Sequence, residues 1–198
     1  EFGHTVMGPS SSMVLADLGA DVIKVEPLEG DRTRANVGFG SALFPVFNRN
    51  KRSMSIDLKS AAGKAAILKV VEGADALIEN FAYGTMDRLG LGYEALSKVN
   101  PRLIYCSVTG FGQDGPYAPR AGYDLMIQAM SGMMSITGKA EGTPGGSPQR
   151  VGVALTDLFT GVYACSAILA AVEVRNSTLT ETKVSASFFG PSRAKTLT

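Results

Sequence analysis

Three runs of strand length, residues 21–26, 76–79 and 103–108, alternate with segments whose apolar residues recur at helical spacing. The helical segments are 9–18, stopped by Gly19, 61–71, which ends near Gly73, and the short stretch 93–99. In the run Leu103-Ile104-Tyr105-Cys106-Ser107-Val108 the polar residues are too few to leave one face in water. Strands of that kind are buried on both sides, which calls for parallel pairing with helices on each face. The predicted class is α/β, with a Rossmann-like open parallel sheet. At 198 residues and 45% hydrophobic composition, the chain can bury such a core as one domain. Residues 30–40 and 142–148 read as loops, and no internal repeat is visible. Glu1-Phe2, directly before Gly3 and a helix, reads as the remnant of a strand. After Thr178 the pattern turns rich in Ser, Thr and Lys and loses its periodicity.

Charge excludes some functions. The net charge is +1 with no basic run, which argues against nucleic acid or an anionic membrane surface as partner. The longest apolar run, 162–172, is too short to span a bilayer. His4 is the single histidine, so no multi-histidine metal site can form and no metal is expected. Cys106 and Cys165 lie in apolar surroundings without CxxC or Cys/His spacing, which predicts core thiols in a reducing compartment. No signal peptide is visible, and the expected location is the cytoplasm, with the mitochondrial matrix as alternative.

Two motifs carry candidate chemistry. In V-A-L-T-D-L-F-T-G, Asp157 follows the apolar run 151–155 and opens an apolar helix, 158–172. A carboxylate there faces unpaired N–H groups and the positive end of the helix dipole. That predicts an ionised group near neutral pH, as a carboxylate nucleophile requires. Helix capping by Thr156 and Asp157 fits the same pattern. The second motif, Gly110-Phe111-Gly112-Gln113-Asp114-Gly115, is a literal G-x-G-x-x-G after a strand. A dinucleotide site needs a helix N-terminus next, but Pro116 and Pro119 follow, and no acidic residue closes a second strand about 20 residues on. A dinucleotide-binding oxidoreductase is thus disfavoured, and the glycines predict a loop at the carboxyl end of a strand, where open α/β sheets bind ligands.

Read in order, the segments G-H-T-V-M-G-P, V-L-A-D-L-G-A-D-V-I-K-V-E, G-D-R-T-R, F-N-R-N-K-R-S-M-S-I-D-L-K, L-I-E-N-F, M-D-R-L-G-L-G-Y and P-R-L-I-Y-C-S-V-T-G-F-G resemble the class III CoA-transferases, the CaiB/BaiF family. The resemblance covers residues 1–178 and implies the N-terminal, CoA-binding part of the large domain of a longer chain. Residues 179–198 depart from it and are expected to be a frameshifted or disordered tail. The resemblance implies acyl-CoA and a carboxylic acid as substrates, no permanently bound cofactor, and an interlocked homodimer. Asp157 matches the catalytic aspartate, which forms a mixed anhydride and then an aspartyl-CoA thioester. Ile56, Asp57, Leu58 and Lys59 match the segment against the adenine end of CoA, and Asn80, Phe81 and Arg88 match further CoA contacts. Ala121, Gly122, Tyr123 and Asp124 match the pantetheine path, and His4, Val6 and Met7 the floor of the site. Local sequence on its own favours core packing for Ile56 and Phe81, and a solvated surface is the alternative for Lys59 and Arg88.

The departures are specific. Pro27 stands where many members carry an arginine that meets a CoA phosphate, with Arg32 or Arg34 as replacements. Ala121 stands where some transferases have a phosphate-facing lysine, with Arg120 adjacent. The glycine-rich loop that closes over the aspartyl intermediate lies beyond this chain. The racemase branch resembles R-A-G-H-D, where this chain has Tyr123. A tyrosine of ordinary pKa, about 10, is a poor base for an α-proton. Transferase is the predicted activity, with 2-methylacyl-CoA racemase or an inactive acyl-CoA-binding fragment as alternatives.

Overall fold

Parallel pairing organises the chain in the computed structural model, which describes residues 1–178, 182–187 and 193–196. Strand β1 (Val22–Glu26) pairs in parallel with β2 (Lys51–Ser55), Val22 opposite Lys51. Strand β3 (Ala76–Glu79) pairs in parallel with β4 (Ile104–Thr109), and β4 with β5 (Thr182–Ser187); β6 (Arg193–Thr196) runs antiparallel to β5. Glu1 and Phe2 bridge the two sheets: the Val25 N–H donates to the Glu1 carbonyl at 2.8 Å and the Phe2 N–H to Ile78 at 2.7 Å. They occupy a strand position, as their sequence suggests.

Helices cover both faces because side chains alternate along a strand. Ile78, Ile104, Cys106 and Val108 pack against helices α1 (Met7–Asp17) and α7 (Leu155–Thr178). Leu77 and Tyr105 pack on the opposite side with α3 (Ala61–Glu72) and α5 (Tyr93–Val99). The Ser60 hydroxyl starts α3 by accepting from the Gly63 N–H at 2.9 Å, and Gly73 ends it. Both cysteines are buried free thiols.

The structure also holds elements that the pattern did not predict. Helix α2 (Leu43–Asn48), the short α4 (Thr85–Arg88) and α6 (Asp124–Met130) were unmarked, as was β2, whose K-R-S-M-S carries no apolar signal. The 30–40 segment contains 3-10 turns at Arg32–Ala35 and Gly38–Ala42 rather than plain loop. Strands β5 and β6 lie in the stretch expected to be a frameshifted or disordered tail; pairing of β5 with β4 and of β6 with β5, not side-chain periodicity, defines them.

Helix α7 is 24 residues long, well beyond the apolar run 162–172. By length and hydropathy alone it could cross a membrane, which corrects the reading that it is too short. In the fold Ala164, Cys165, Ile168 and Ala171 are buried, while Phe159, Val162, Tyr163 and Leu169 are exposed. Arg175 anchors its far end through the Asp75 carboxylate at 2.8 Å.

Helices α1 and α7 approach closely through small residues. A Cβ on Gly161 would lie 2.0 Å from the Ser10 hydroxyl oxygen and 3.0 Å from the Met7 carbonyl. Ser10 is buried, so the backbones must separate to admit a methyl group. Gly161→Ala is expected to cost about 2 kcal/mol, a fall in Tm of about 2–4 °C in a protein of twice this length, with partial recovery in the double variant that adds Ser10→Ala. Thermal melts of the full-length protein check this; an unchanged Tm would show that the helix pair is not tightly set here.

Candidate active site

Asp157 lies in the first turn of α7 and Asp124 begins α6. It is Asp124 that caps α7. Its Oδ1 accepts from the Thr156 N–H at 2.8 Å, the Thr156 hydroxyl at 2.6 Å and the Asp157 N–H at 3.3 Å. Its Oδ2 accepts from the Gln128 amide at 2.6 Å. The free N–H groups expected to face Asp157 are therefore taken by another carboxylate.

This changes the electrostatics of Asp157. Burial, and secondly the charge of Asp124, push its carboxyl up to about 7. The dipole of α7 opposes the shift without cancelling it. The expectation of a firmly ionised Asp157 is corrected: the fold raises its carboxyl well above the ordinary carboxylate range. Among the described residues no donor binds the Asp157 carboxyl, so its oxygens are open to a ligand.

Two cavities meet beside these aspartates. The smaller, about 240 Å³, is lined by Asp157 together with Val6, Met7, Asn80, Ala121 and Gly122. The larger, about 860 Å³, is lined by Ile56, Asp57, Leu58 and Lys59, with Pro27 and Arg32. His4, Phe81 and Tyr123 line both and mark the junction, where the Tyr123 ring is 74% exposed. Almost every residue proposed from the sequence thus borders one continuous groove. Arg88 borders neither cavity; its guanidinium bonds to the Thr85 hydroxyl and the Tyr83 carbonyl. Asp124 stands behind the groove as the cap of α7.

The groove is built on constrained backbone. Thr5 takes a left-handed φ of 65°, unusual for a β-branched residue. Asn80 holds that turn: its Oδ1 accepts from the His4 N–H at 2.9 Å and its amide donates to the His4 carbonyl at 3.0 Å. The Asn80 amide is therefore a clamp on the His4 turn, a role its sequence position did not indicate. The His4 ring lies over Phe81 at 6.1 Å, and burial lowers its pKa, which leaves it neutral. From below, buried Lys24 donates to the Gly3 carbonyl at 2.8 Å and pairs with Asp31 at 2.9 Å.

Two glycines join the loop after β4 to the segment before α6. A Cβ on either Gly110 or Gly122 would lie 2.5 Å from the Cα of the other. The first glycine of the G-x-G-x-x-G string therefore serves backbone contact that sets Tyr123 and Asp124 in place, and the chain after it continues as loop to α6. Of the cations named as replacements at Pro27, Arg34 is committed to Glu26 through 2.8 and 2.7 Å bonds and lies over Phe44. That pair draws the Glu26 carboxyl down to about 2 against the effect of burial. Arg32 borders the larger cavity instead.

The large chamber and the small one together offer room for a long ligand, and the Asp157 carboxyl at the start of α7 borders the small chamber. Sequence comparison gives the family. A model described as CoA-transferase family III matches residues 1–194, so the chain belongs to that family. The match runs past residue 178, where the sequence reading ended the resemblance. The chain is 48% identical over 183 residues to succinate–glutarate CoA-transferase of Agrobacterium fabrum, covering 87% of this chain and 45% of that one. It is 47% identical over 180 residues to acetyl-CoA:oxalate CoA-transferase of Acetobacter aceti, covering 88% and 45%. A solved CaiB/BaiF family protein from Brucella suis superposes with a TM-score of 0.86 at 43% identity, covering 95% of this chain and 51% of that one. The chain thus spans about half the length of the relatives it matches.

Proposed function

We propose that the full-length protein bearing this chain transfers CoA from an acyl-CoA to a carboxylic acid, with Asp157 as nucleophile. The observation that carries this reading is the open Asp157 carboxyl at the inner end of a groove large enough for a nucleotide-bearing thioester. An Asp157 oxygen attacks the thioester carbonyl, the C–S bond breaks, and the CoA thiolate leaves a mixed anhydride. The thiolate then attacks the Asp157 carbonyl carbon, releasing the donor carboxylate and forming an aspartyl-CoA thioester. The acceptor carboxylate attacks that thioester, and the expelled thiolate takes the acceptor acyl group and frees Asp157. No proton moves in any step, so the chemistry needs no base beside Asp157. That suits a site where Tyr123 and a neutral His4 stand at the junction.

The relatives are named for succinate, glutarate and oxalate, and in one case also for acetyl-CoA, which supports short acids, dicarboxylic ones among them, as substrates. The exposed apolar residues Phe159, Val162, Tyr163 and Leu169 of α7 support a homodimer as the working unit, and we place the protein in the cytoplasm.

The test is an assay of the full-length protein with succinyl-CoA and a panel of acids in D2O, read by mass spectrometry. Expected is exchange of CoA between acids with no deuterium at the α-carbon of a 2-methylacyl-CoA. Rapid α-deuteration without transfer would replace this reading with a racemase.

A further inference from the structure

We propose that Arg120 binds the distal carboxylate of a dicarboxylic acyl group held against Asp157, so that this half of the protein sets a preference for dicarboxylates over monocarboxylates. The inference rests on the transfer reading above. Arg120 lines the same cavity of about 240 Å³ as Asp157. The charged or titratable residues of that lining, apart from tyrosines, are Asp157, His4 and Arg120, and burial keeps His4 neutral. Among the described residues, Arg120 is therefore the permanent cation on the wall.

Its position is set without using up its charge. The guanidinium lies 4.3 Å over the Tyr117 ring, and the Arg120 N–H donates to the Tyr117 carbonyl at 2.9 Å. Stacking on an aromatic face orients the group and leaves its N–H edge available. Among the described residues no carboxylate pairs with Arg120, whereas Arg34, Arg49, Arg52 and Arg175 each hold one. Two residues along, the contact between Gly122 and Gly110 fixes the segment against the loop after β4.

A dicarboxylate entering this cavity meets an unfavourable field without such a cation. Asp157 and Asp124 lie together, and the hydrogen bonds of Asp124 go to the start of α7 and Gln128, not to the ligand. A planar guanidinium offers two parallel N–H groups to a carboxylate, and it repels nothing on a monocarboxylic acyl chain. Selectivity then arises from attraction of the distal charge alone.

The experiment compares succinate with butyrate as acceptors in the full-length protein, for the parent and for Arg120→Gln and Arg120→Lys. Arg120→Gln is expected to lower kcat/KM for succinate by about 10- to 100-fold, mostly through KM, and for butyrate by at most about threefold. Arg120→Lys should keep part of the preference, because the charge remains while the fork is lost. Tyr117→Phe should keep the selectivity, because the stacking face is retained. An equal fall for both acids would mean a structural role and overturn the proposal. So would a rise in KM for every CoA ester regardless of its acyl group, which would assign Arg120 to a phosphate of CoA. Absence of transfer to any acid in the parent protein would instead defeat the transferase reading itself.

Discussion

Asp157→Asn is expected to lower CoA transfer by about 10³-fold or more and, at the same time, to make the protein more stable at pH 8. The first effect follows from chemistry: an amide is a very weak nucleophile toward a thioester, and no other open carboxyl borders the small cavity. The second follows from linkage. The Asp157 carboxyl titrates near 3.8 when solvated and near 7 in the fold. Between those values the folded state binds more protons than the unfolded one, so this group lowers stability as pH rises through that window. Above about pH 7 the full cost is present, and below about pH 4 it is absent. The shift of about 3 units corresponds to about 4 kcal/mol, and partial exposure with the α7 dipole reduces this to roughly 2. Asparagine carries no such penalty. The full-length variant's Tm should exceed the parent's by about 2–4 °C at pH 8 and match it near pH 4. Melts at both pH values, with transfer assays and hydroxylamine trapping of the acylated residue, check all three claims. Full activity in Asp157→Asn, or the trapped label on Asp124, would remove Asp157 from the chemistry.

The α/β class was legible because its signal is local. Burial on both faces leaves strands such as β4 almost wholly apolar, and Ser60 and Gly73 mark the ends of α3 in sequence. Strand β2 was not legible: apart from Met54, which packs against the core, its residues are polar, and its place is set by backbone pairing with β1. Within the site, Asp157 was visible as a carboxylate opening an apolar helix. Its titration was not, because the burial that mainly shifts it is set by the fold, and the charge that adds to the shift comes from Asp124, 33 residues earlier. Nothing in the local pattern tells which aspartate takes the N–H groups of α7. The same holds for Asn80, whose amide clamps a turn 76 residues away. The pair Gly110 and Gly122 had a readable half: a glycine after a strand signals close backbone approach, but its partner is fixed only by the fold.

Asp124 variants should separate positioning from electrostatics. Asp124→Ala removes the acceptor for both Thr156 donors and the Asp157 N–H, and leaves Gln128 without one partner. Loss of such a cap costs about 1–2 kcal/mol and frays the turn that carries Asp157. Misplacement of a reacting group by about 1 Å costs about 100-fold in rate, and a fall of that size is expected here. Asp124→Asn keeps a carbonyl oxygen to accept from Thr156 but removes the negative charge beside Asp157. Its rate should stay within about tenfold of the parent, in line with a preserved cap. The pH profile of kcat/KM is the decisive readout. In the parent, activity should rise as Asp157 ionises, near pH 7. In Asp124→Asn the rise should move to lower pH, yet stay above the ordinary carboxyl range, because burial is the larger cause and persists. A purely structural role for Asp124 would lower the plateau and leave the midpoint in place. An unmoved midpoint would show that the two carboxylates are not electrostatically coupled, and the account of Asp157 given by this geometry would fail.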